Sequence, residues 1–299
     1  MGELLNPSVT KAARTPSAGQ QPRVCLVTGA SAGIGKAASV ELARRGMRVV
    51  MLCRDAERGE RARRDVAAEA QHAPELVIAD LASLDAVRQG AAEIARRWPA
   101  IHVLINNAGV SLARRAVSVD GFEMTLAVNH LAPFLLTQLL LPQLLAAPPA
   151  RIVNVTSRLE RAGRIHFDDL QCERRYSRTR AYNQSKLANV LFTYELADRL
   201  RGTGVTVNCI HPGFVATELM RDLPRWVRRL YEPFIATPEE GARGVVHLAC
   251  AAELEGVTGC YFERDGVERA SSARSHDAEL RARLWRVSEE LARLGHAPA

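Results

Sequence analysis

Residues 24–35 read Val24-Cys25-Leu26-Val27-Thr28-Gly29-Ala30-Ser31-Ala32-Gly33-Ile34-Gly35. A short apolar run gives way at once to a glycine-rich turn, and the turn opens a stretch with apolar residues at helical spacing. Gly29 permits a tight turn, Gly33 lets a diphosphate approach the backbone, and Gly35 lets the helix pack closely on the strand. The first N–H groups of a helix have no partner inside it, and its dipole favours negative charge there. The stretch therefore predicts an anion held at a helix N-terminus. Gly35-Lys36 also resembles the end of a mononucleotide phosphate loop. That rival fails, because Ala30 stands where its first glycine belongs and Ala37 replaces the metal-binding hydroxyl.

Outward from this turn the pattern repeats. Strands are predicted at 24–28, 48–53, 76–79, 102–105, 151–156 and 205–210, and helices at 33–45, 56–70, 84–98, 120–145 and 179–200. Gly46 and Gly204 sit where helices end and strands begin. Such alternation predicts a parallel sheet with helices on both faces. Two segments, 158–179 and 214–237, interrupt it, and long insertions of this kind lie over the ligand crevice. A last amphipathic stretch, 277–294, carries Leu280, Leu284, Val287, Leu291 and Leu294. Residues 1–22 are expected to be a flexible leader, and 23–299 a single domain.

Composition narrows the class. At 299 residues and 47% hydrophobic, the chain can bury a sizeable core. The +7 charge comes from 40 basic and 33 acidic residues, which alternate on the predicted helices. They read as solvated ion-paired faces, not as a nucleic-acid surface. The leader lacks the apolar centre of a signal peptide, and no apolar run reaches spanning length, so no transmembrane anchor is expected and the expected compartment is the cytoplasm. The apolar stretch 131–145 holds Pro133, Gln138, Pro142 and Gln143 and reads as a core helix. Six cysteines without paired spacing read as free thiols, and His130, His166 and His211 are not spaced as ligands, so no metal is expected.

The chemistry-bearing residues follow the strands. At the end of 48–53, Cys53 cannot hold ribose hydroxyls as a carboxylate would, whereas Arg54 can pair with a 2′-phosphate, which points to NADP(H). Asp80 is placed to bond adenine, and Asn106-Asn107-Ala108-Gly109 lies at the carboxyl edge of the sheet. Tyr182 and Lys186 share one helix face. A tyrosine titrates near ~10, and moving it ~3 units toward neutrality needs about 4 kcal/mol of differential stabilisation. The Lys186 ammonium and an oxidised nicotinamide can share that task, leaving Tyr182 to exchange a proton with a carbonyl oxygen. Ser157 can orient that oxygen, with Thr156 as the fallback. Pro133 frees the carbonyl of Asn129, which can then hold a water leading to Lys186; a plain kink is the alternative. Only Lys11, Lys36 and Lys186 are lysines in this arginine-rich chain.

In order and over residues 23–265, these motifs with Pro212-Gly213 resemble the short-chain dehydrogenase/reductase superfamily. The resemblance implies a single Rossmann-type α/β fold, a doubly wound parallel sheet of about seven strands. It implies a catalytic tetrad of Asn129, Ser157, Tyr182 and Lys186. It assigns cofactor contacts to Gly29, Ser31, Gly33, Ile34, Gly35, Arg54, Asp80, Leu81, Asn107, Ala108, Gly109, Tyr182, Lys186, Pro212, Gly213, Val215 and Thr217. Cys53-Arg54-Asp55, Asp168-Asp169-Leu170-Gln171, Arg175-Tyr176-Ser177, the run 185–192 and Leu284-Trp285 look like the retinol dehydrogenase branch. That branch implies NADP(H) and the interconversion of lipophilic aldehydes or ketones with alcohols. Reduction of a conjugated ring double bond and a non-catalytic NADP sensor are the competing readings. The apolar and arginine-rich stretch 214–237 is expected to be a substrate lid; a peripheral membrane contact or an oligomer contact would suit the same pattern. Related folds often form homodimers through the helices 120–145 and 179–200.

Overall fold

The computed structural model describes residues 22–214 and 236–293. Residues 1–21 of the leader expected over 1–22, together with Val215, Thr217 and nearly all of the segment expected to be a lid, lie outside the described residues. Seven strands form one sheet: β1 (Val24–Thr28), β2 (Arg48–Cys53), β3 (Glu75–Ile78), β4 (Val103–Asn106), β5 (Ala150–Val155), β6 (Val205–His211) and β7 (Tyr261–Glu263). Their order is β3-β2-β1-β4-β5-β6-β7, every pairing is parallel, and the fold is Rossmann-type. The winding reverses between β1 and β4, so the loops leaving these two strands diverge and open a crevice at their carboxyl ends.

The helices are α1 (Gly33–Arg44), α2 (Ala56–Ala67), α3 (Leu84–Arg97), α4 (Met124–Leu126), α5 (Ala132–Leu139), α6 (Leu141–Leu145), α7 (Arg178–Arg199), α8 (Pro238–Cys250) and α9 (Ala278–Leu291). Successive strand residues alternate between two cores. Val24 and Leu26 pack with α3, α5 and α7, while Cys25 and Val27 pack with α1, α2 and α8. Both faces being covered, β1, β5 and β6 are buried along their whole length, Arg151, Asn154, Thr206 and Asn208 included. The charged residues line the outer helix faces as expected, in i,i+4 pairs such as Arg45–Glu41, Arg97–Glu93 and Arg199–Glu195.

The single helix expected over 120–145 does not form. Gly121 adopts φ +86°, the helix starts at Met124, and Glu123 caps it by accepting the N–H groups of Thr125 and Leu126. A π turn, Ala127–Leu131, follows, in which Ala132 N–H reaches back to Ala127 O. Pro133 cannot donate to the ladder, so the hydrogen bonding slips one residue just ahead of it. Pro142 marks the second break, between α5 and α6. The sheet has the seven strands the resemblance implies, but neither helix α8 nor the position of strand β7 was placed from the sequence pattern. Thr237 and Glu240 form a complete capping box ahead of α8.

Helix α9 closes the layer outside α5 and α7. Trp285 meets Phe134 edge-on at 5.0 Å and lies against Phe192, with the Arg199 guanidinium 4.1 Å above its ring. His130 and Ser288 share a hydrogen bond of 2.8 Å inside this cluster. The surface that the resemblance offers for pairing two copies is thus partly covered by the chain's own helix.

Burial pushes the His130 imidazole down to about 4, from an ordinary 6.5. Between those values the unfolded chain binds the extra proton, so stability is present above pH 6.5 and is lost as pH falls toward 4. Melting curves should therefore show a steeper loss of Tm across this window for the wild type than for His130→Gln. Parallel curves would contradict the assignment.

Candidate active site

At the switch point the diverging loops are sewn together by one hydroxyl. Thr28 Oγ1 donates to Ile105 O at 3.3 Å and accepts Asn107 N–H at 3.0 Å and Ala108 N–H at 3.1 Å. The Asn107 side chain returns a bond to Thr28 O at 2.9 Å. Asn107 and Ala108 thus hold the crevice floor, and Gly109 continues from it between the catalytic candidates. A Cβ at Gly109 would lie 3.3 Å from Asn129 Oδ1 and 3.6 Å from Lys186 Nζ.

The glycine turn has the shape its sequence calls for. Gly29 and Gly33 take left-handed φ values of +67° and +54°. A Cβ on Gly35 would come within 2.4 Å of Gly29 O and 2.5 Å of Asn107 Nδ2, so α1 can seat there only without a side chain. Asp55, Ser83, Ser177, Thr237 and Asp277 cap α2, α3, α7, α8 and α9 with their side chains. Helix α1 has no side-chain cap at Ala32 and no acid in its first turn. Its leading N–H groups, Ile34 included, are left for an external anion. Ser31 follows Ala30 in the turn, and both bond the Cys53 thiol, which burial raises to about 11. A neutral buried thiol therefore fills the place of a ribose-binding carboxylate, and the exposed Arg54 stands next to it. Asp80 lies past β3 and caps its own turn through Ala82 N–H at 3.0 Å, with Leu81 buried behind it. The donor set and the glycine cradle fit a nicotinamide dinucleotide.

On the same side of the sheet, α7 brings Tyr182 and Lys186 to the end of β5. The Ser157 hydroxyl stands near enough to the Tyr182 phenol to pull its pKa down. Lys186 Nζ donates to Val155 O at 3.0 Å and lies 5.5 Å from the Tyr182 ring centre. Asn129 is fully buried: its Oδ1 accepts Val110 N–H at 2.7 Å, and its Nδ2 donates to Val110 O and to Ser185 Oγ, both at 3.0 Å. Ser185 Oγ in turn donates to Tyr182 O at 2.8 Å. The four sequence-picked residues therefore meet, and what links Asn129 to the others is its amide, through Ser185. The role of Ser185 was not read from the sequence, although it stands directly before Lys186. Thr156 is not a fallback for Ser157, because its hydroxyl donates to Lys186 O at 2.9 Å and pins α7 to β5.

The electrostatics differ from expectation. Desolvation pushes the Tyr182 phenol up to about 12 and the Lys186 ammonium down to about 8. What opposes the rise at Tyr182 is the Ser157 hydroxyl, then the charge of Arg178. The protein alone thus keeps the phenol protonated. Beyond Lys186, Pro212 and Gly213 leave β6, with Gly213 at φ +88°. His211 is buried there, its Nδ1 without a partner among the described residues, and its ring meets Phe214 edge-on at 5.9 Å. Among the described residues no group of three His, Cys, Asp or Glu side chains could hold a metal, and no helix is long and apolar enough to cross a membrane.

This constellation on this sheet defines a class. The short chain dehydrogenase family model matches residues 23–228, and the chain belongs to that family. It falls in the retinol dehydrogenase-like branch. Human retinol dehydrogenase 12 is 46% identical over 272 residues, covering 90% of this chain and 86% of that one. Human retinol dehydrogenase 13 is 42% identical over 299 residues, covering 96% and 90%. Among solved structures, an uncharacterised protein from Mycobacterium paratuberculosis superposes with a TM-score of 0.75 at 36% identity, covering 91% of this chain and 93% of that one. A short chain dehydrogenase from Shigella flexneri complexed with NADP gives 0.67 at 27% identity, covering 81% and 97%. The chain is accordingly an oxidoreductase of a family that uses nicotinamide dinucleotides.

Gly35→Ala forces its new methyl against Gly29 O and Asn107 Nδ2. Overpacking of this kind costs about 1–3 kcal/mol. The expected outcome is a Tm lower by several degrees together with weakened binding of a reduced nicotinamide dinucleotide, read by thermal melts and by nucleotide fluorescence. An unchanged Tm and affinity would refute the contact.

Proposed function

We propose that the chain is an NADP(H)-preferring oxidoreductase that interconverts a lipophilic aldehyde or ketone with its alcohol, with Tyr182 as general acid and base. The observation that carries this is the Lys186 ammonium 5.5 Å from the centre of the Tyr182 ring, held there by Val155 O, with the Ser157 hydroxyl near enough to lower the phenol's pKa. When bound, the cofactor supplies or accepts the hydride. Ser157 and Tyr182 present two hydroxyls to one substrate oxygen, so Ser157 orients it and Tyr182 Oη carries the proton. A phenol held up to about 12 keeps its proton at neutral pH, the form that carbonyl reduction calls for. Lys186 commits one donor to Val155 O and keeps two, which suit a ribose diol. Oxidation requires a lower phenol pKa, and the charges of Lys186 and of an oxidised nicotinamide act in that direction.

Two further features support the finer reading. Arg54, with Cys53 in place of an acid, suits a 2′-phosphate, and the Shigella flexneri relative is complexed with NADP. Leu159 and Phe214, 40% and 56% exposed, stand just beyond Ser157 and Gly213 and offer apolar walls beside the reacting centre. The relatives named retinol dehydrogenases act, by those names, on a lipophilic alcohol.

Tyr182→Phe should lower turnover of aromatic and polyene aldehydes about 10²–10⁴-fold, the usual weight of general acid catalysis, while NADPH still binds. Turnover equal to the wild type would exclude the mechanism. Arg54→Ala should raise KM for NADPH by about tenfold or more and leave KM for NADH within about twofold. Equal changes for both would exclude the phosphate role.

A further inference from the structure

Glu160 is a buried carboxylate that the reaction scheme leaves unused. It lies beyond Ser157 in the 3-10 turn Arg158–Ala162 and has no exposed surface. Burial pushes its carboxyl up, and what opposes this first is hydrogen bonding from Ser272. Oε1 accepts Ser272 N–H at 2.8 Å, and Oε2 accepts the Ser272 hydroxyl at 2.6 Å. A carboxylate is costly to bury without a close countercharge, so its place in the turn is tightly determined.

Ser272 belongs to a strap that is itself anchored on α7. Tyr194 Oη and Ser271 Oγ lie 2.6 Å apart, Ser271 and Ser275 hydroxyls 2.7 Å apart, and Ser275 Oγ donates to Ser272 O at 2.6 Å. The far end of the turn meets the same helix directly. Gly163 N–H donates to Glu160 O at 2.8 Å, and a Cβ on Gly163 would lie 2.5 Å from Asn183 O and 2.8 Å from Leu187 Cβ. Asn183 is the residue after Tyr182. The turn is therefore held to the Tyr182 helix directly at Gly163 and, through the strap, by the Glu160–Ser272 bonds, with Arg161 on Ala270 O and Arg274 on Gly163 O beside them. Ser157 heads that turn: Glu160 N–H donates to Ser157 O at 3.0 Å, and Leu159 N–H to Ser157 Oγ at 3.3 Å.

We propose that Glu160 and Ser272 form a latch that positions the Ser157 hydroxyl against Tyr182. They are positioning residues, touch neither substrate nor cofactor, and act through Ser157. The inference rests on the roles given above to Ser157 and Tyr182.

The test uses the NADPH-loaded full chain. Hydrogen exchange in the 159–163 amides should speed up about fivefold or more in Glu160→Ala and Ser272→Ala, with the sheet amides unchanged. Glu160→Gln, which retains an acceptor for Ser272 N–H, should stay close to the wild type. With an aromatic aldehyde, Glu160→Ala should lower kcat about tenfold and leave KM for NADPH within about twofold. In a Ser157→Ala background the same substitution should change kcat by less than about twofold, because the group it positions is gone. Unchanged exchange overturns the latch. A full tenfold loss in the Ser157→Ala background overturns action through Ser157. If the wild type turns over no aldehyde, ketone or alcohol, the proposed function falls, and the exchange measurement alone then decides the latch.

Discussion

The site depends on the Thr28 hydroxyl and the three backbone groups it joins across the switch point. A doubly wound sheet makes a crevice because its connections leave β1 and β4 in opposite directions. The same divergence leaves the backbone beyond both strands without ladder partners. Thr28 Oγ1 answers this by bridging Ile105 O and the N–H groups of Asn107 and Ala108. The glycine turn, the Asn107–Gly109 loop and the start of α1 inherit their spacing from that bridge. The requirement for glycine at position 35 follows, since the Asn107 amide and Gly29 O occupy the space a Cβ would need.

A second constraint is desolvation, and it acts on both members of the Tyr182–Lys186 pair in opposite senses. Burial makes the phenolate of Tyr182 and the ammonium of Lys186 each less favourable. The fold offsets this with neutral dipoles: Val155 O for Lys186, the Ser157 hydroxyl for Tyr182. Asn129, Val110 and Ser185 then fix the backbone of Tyr182 without adding charge. Uncharged support of this kind leaves the protonation of the pair responsive to whatever charge enters the crevice.

The sequence carried the strand–helix alternation, because the strands are short and rich in β-branched and apolar residues while the covering helices are long and amphipathic. It also carried the glycine turn and the Tyr182/Lys186 face, since each is a local pattern with its own spacing. What it hid was tertiary. Strand β7 is three residues long, too short for any periodicity, and its place is set by pairing with β6. The break in 120–145 is masked because residues 125–137 are buried on every side and show no amphipathic period; only Gly121, Pro133 and Pro142 hinted at it. Helix α8 did announce itself, through Thr237 and Glu240, but directly after a segment whose pattern pointed elsewhere. Ser185 and Glu160 carry no motif of their own. Their roles exist only because Asn129 and Ser272 arrive from distant parts of the chain.

Helix α9 has a consequence for how the chain is made. Trp285 and Ser288 complete a cluster begun by His130, Phe134 and Phe192, about one hundred and fifty residues earlier in the chain at its first members. A chain emerging from the ribosome holds that aromatic surface uncovered until its last described helix is released. The sheet can be assembled by then, yet its outer layer is unfinished, and an aromatic patch of this kind is a site where neighbouring nascent chains adhere. Docking of the closing helix thus ends that exposure.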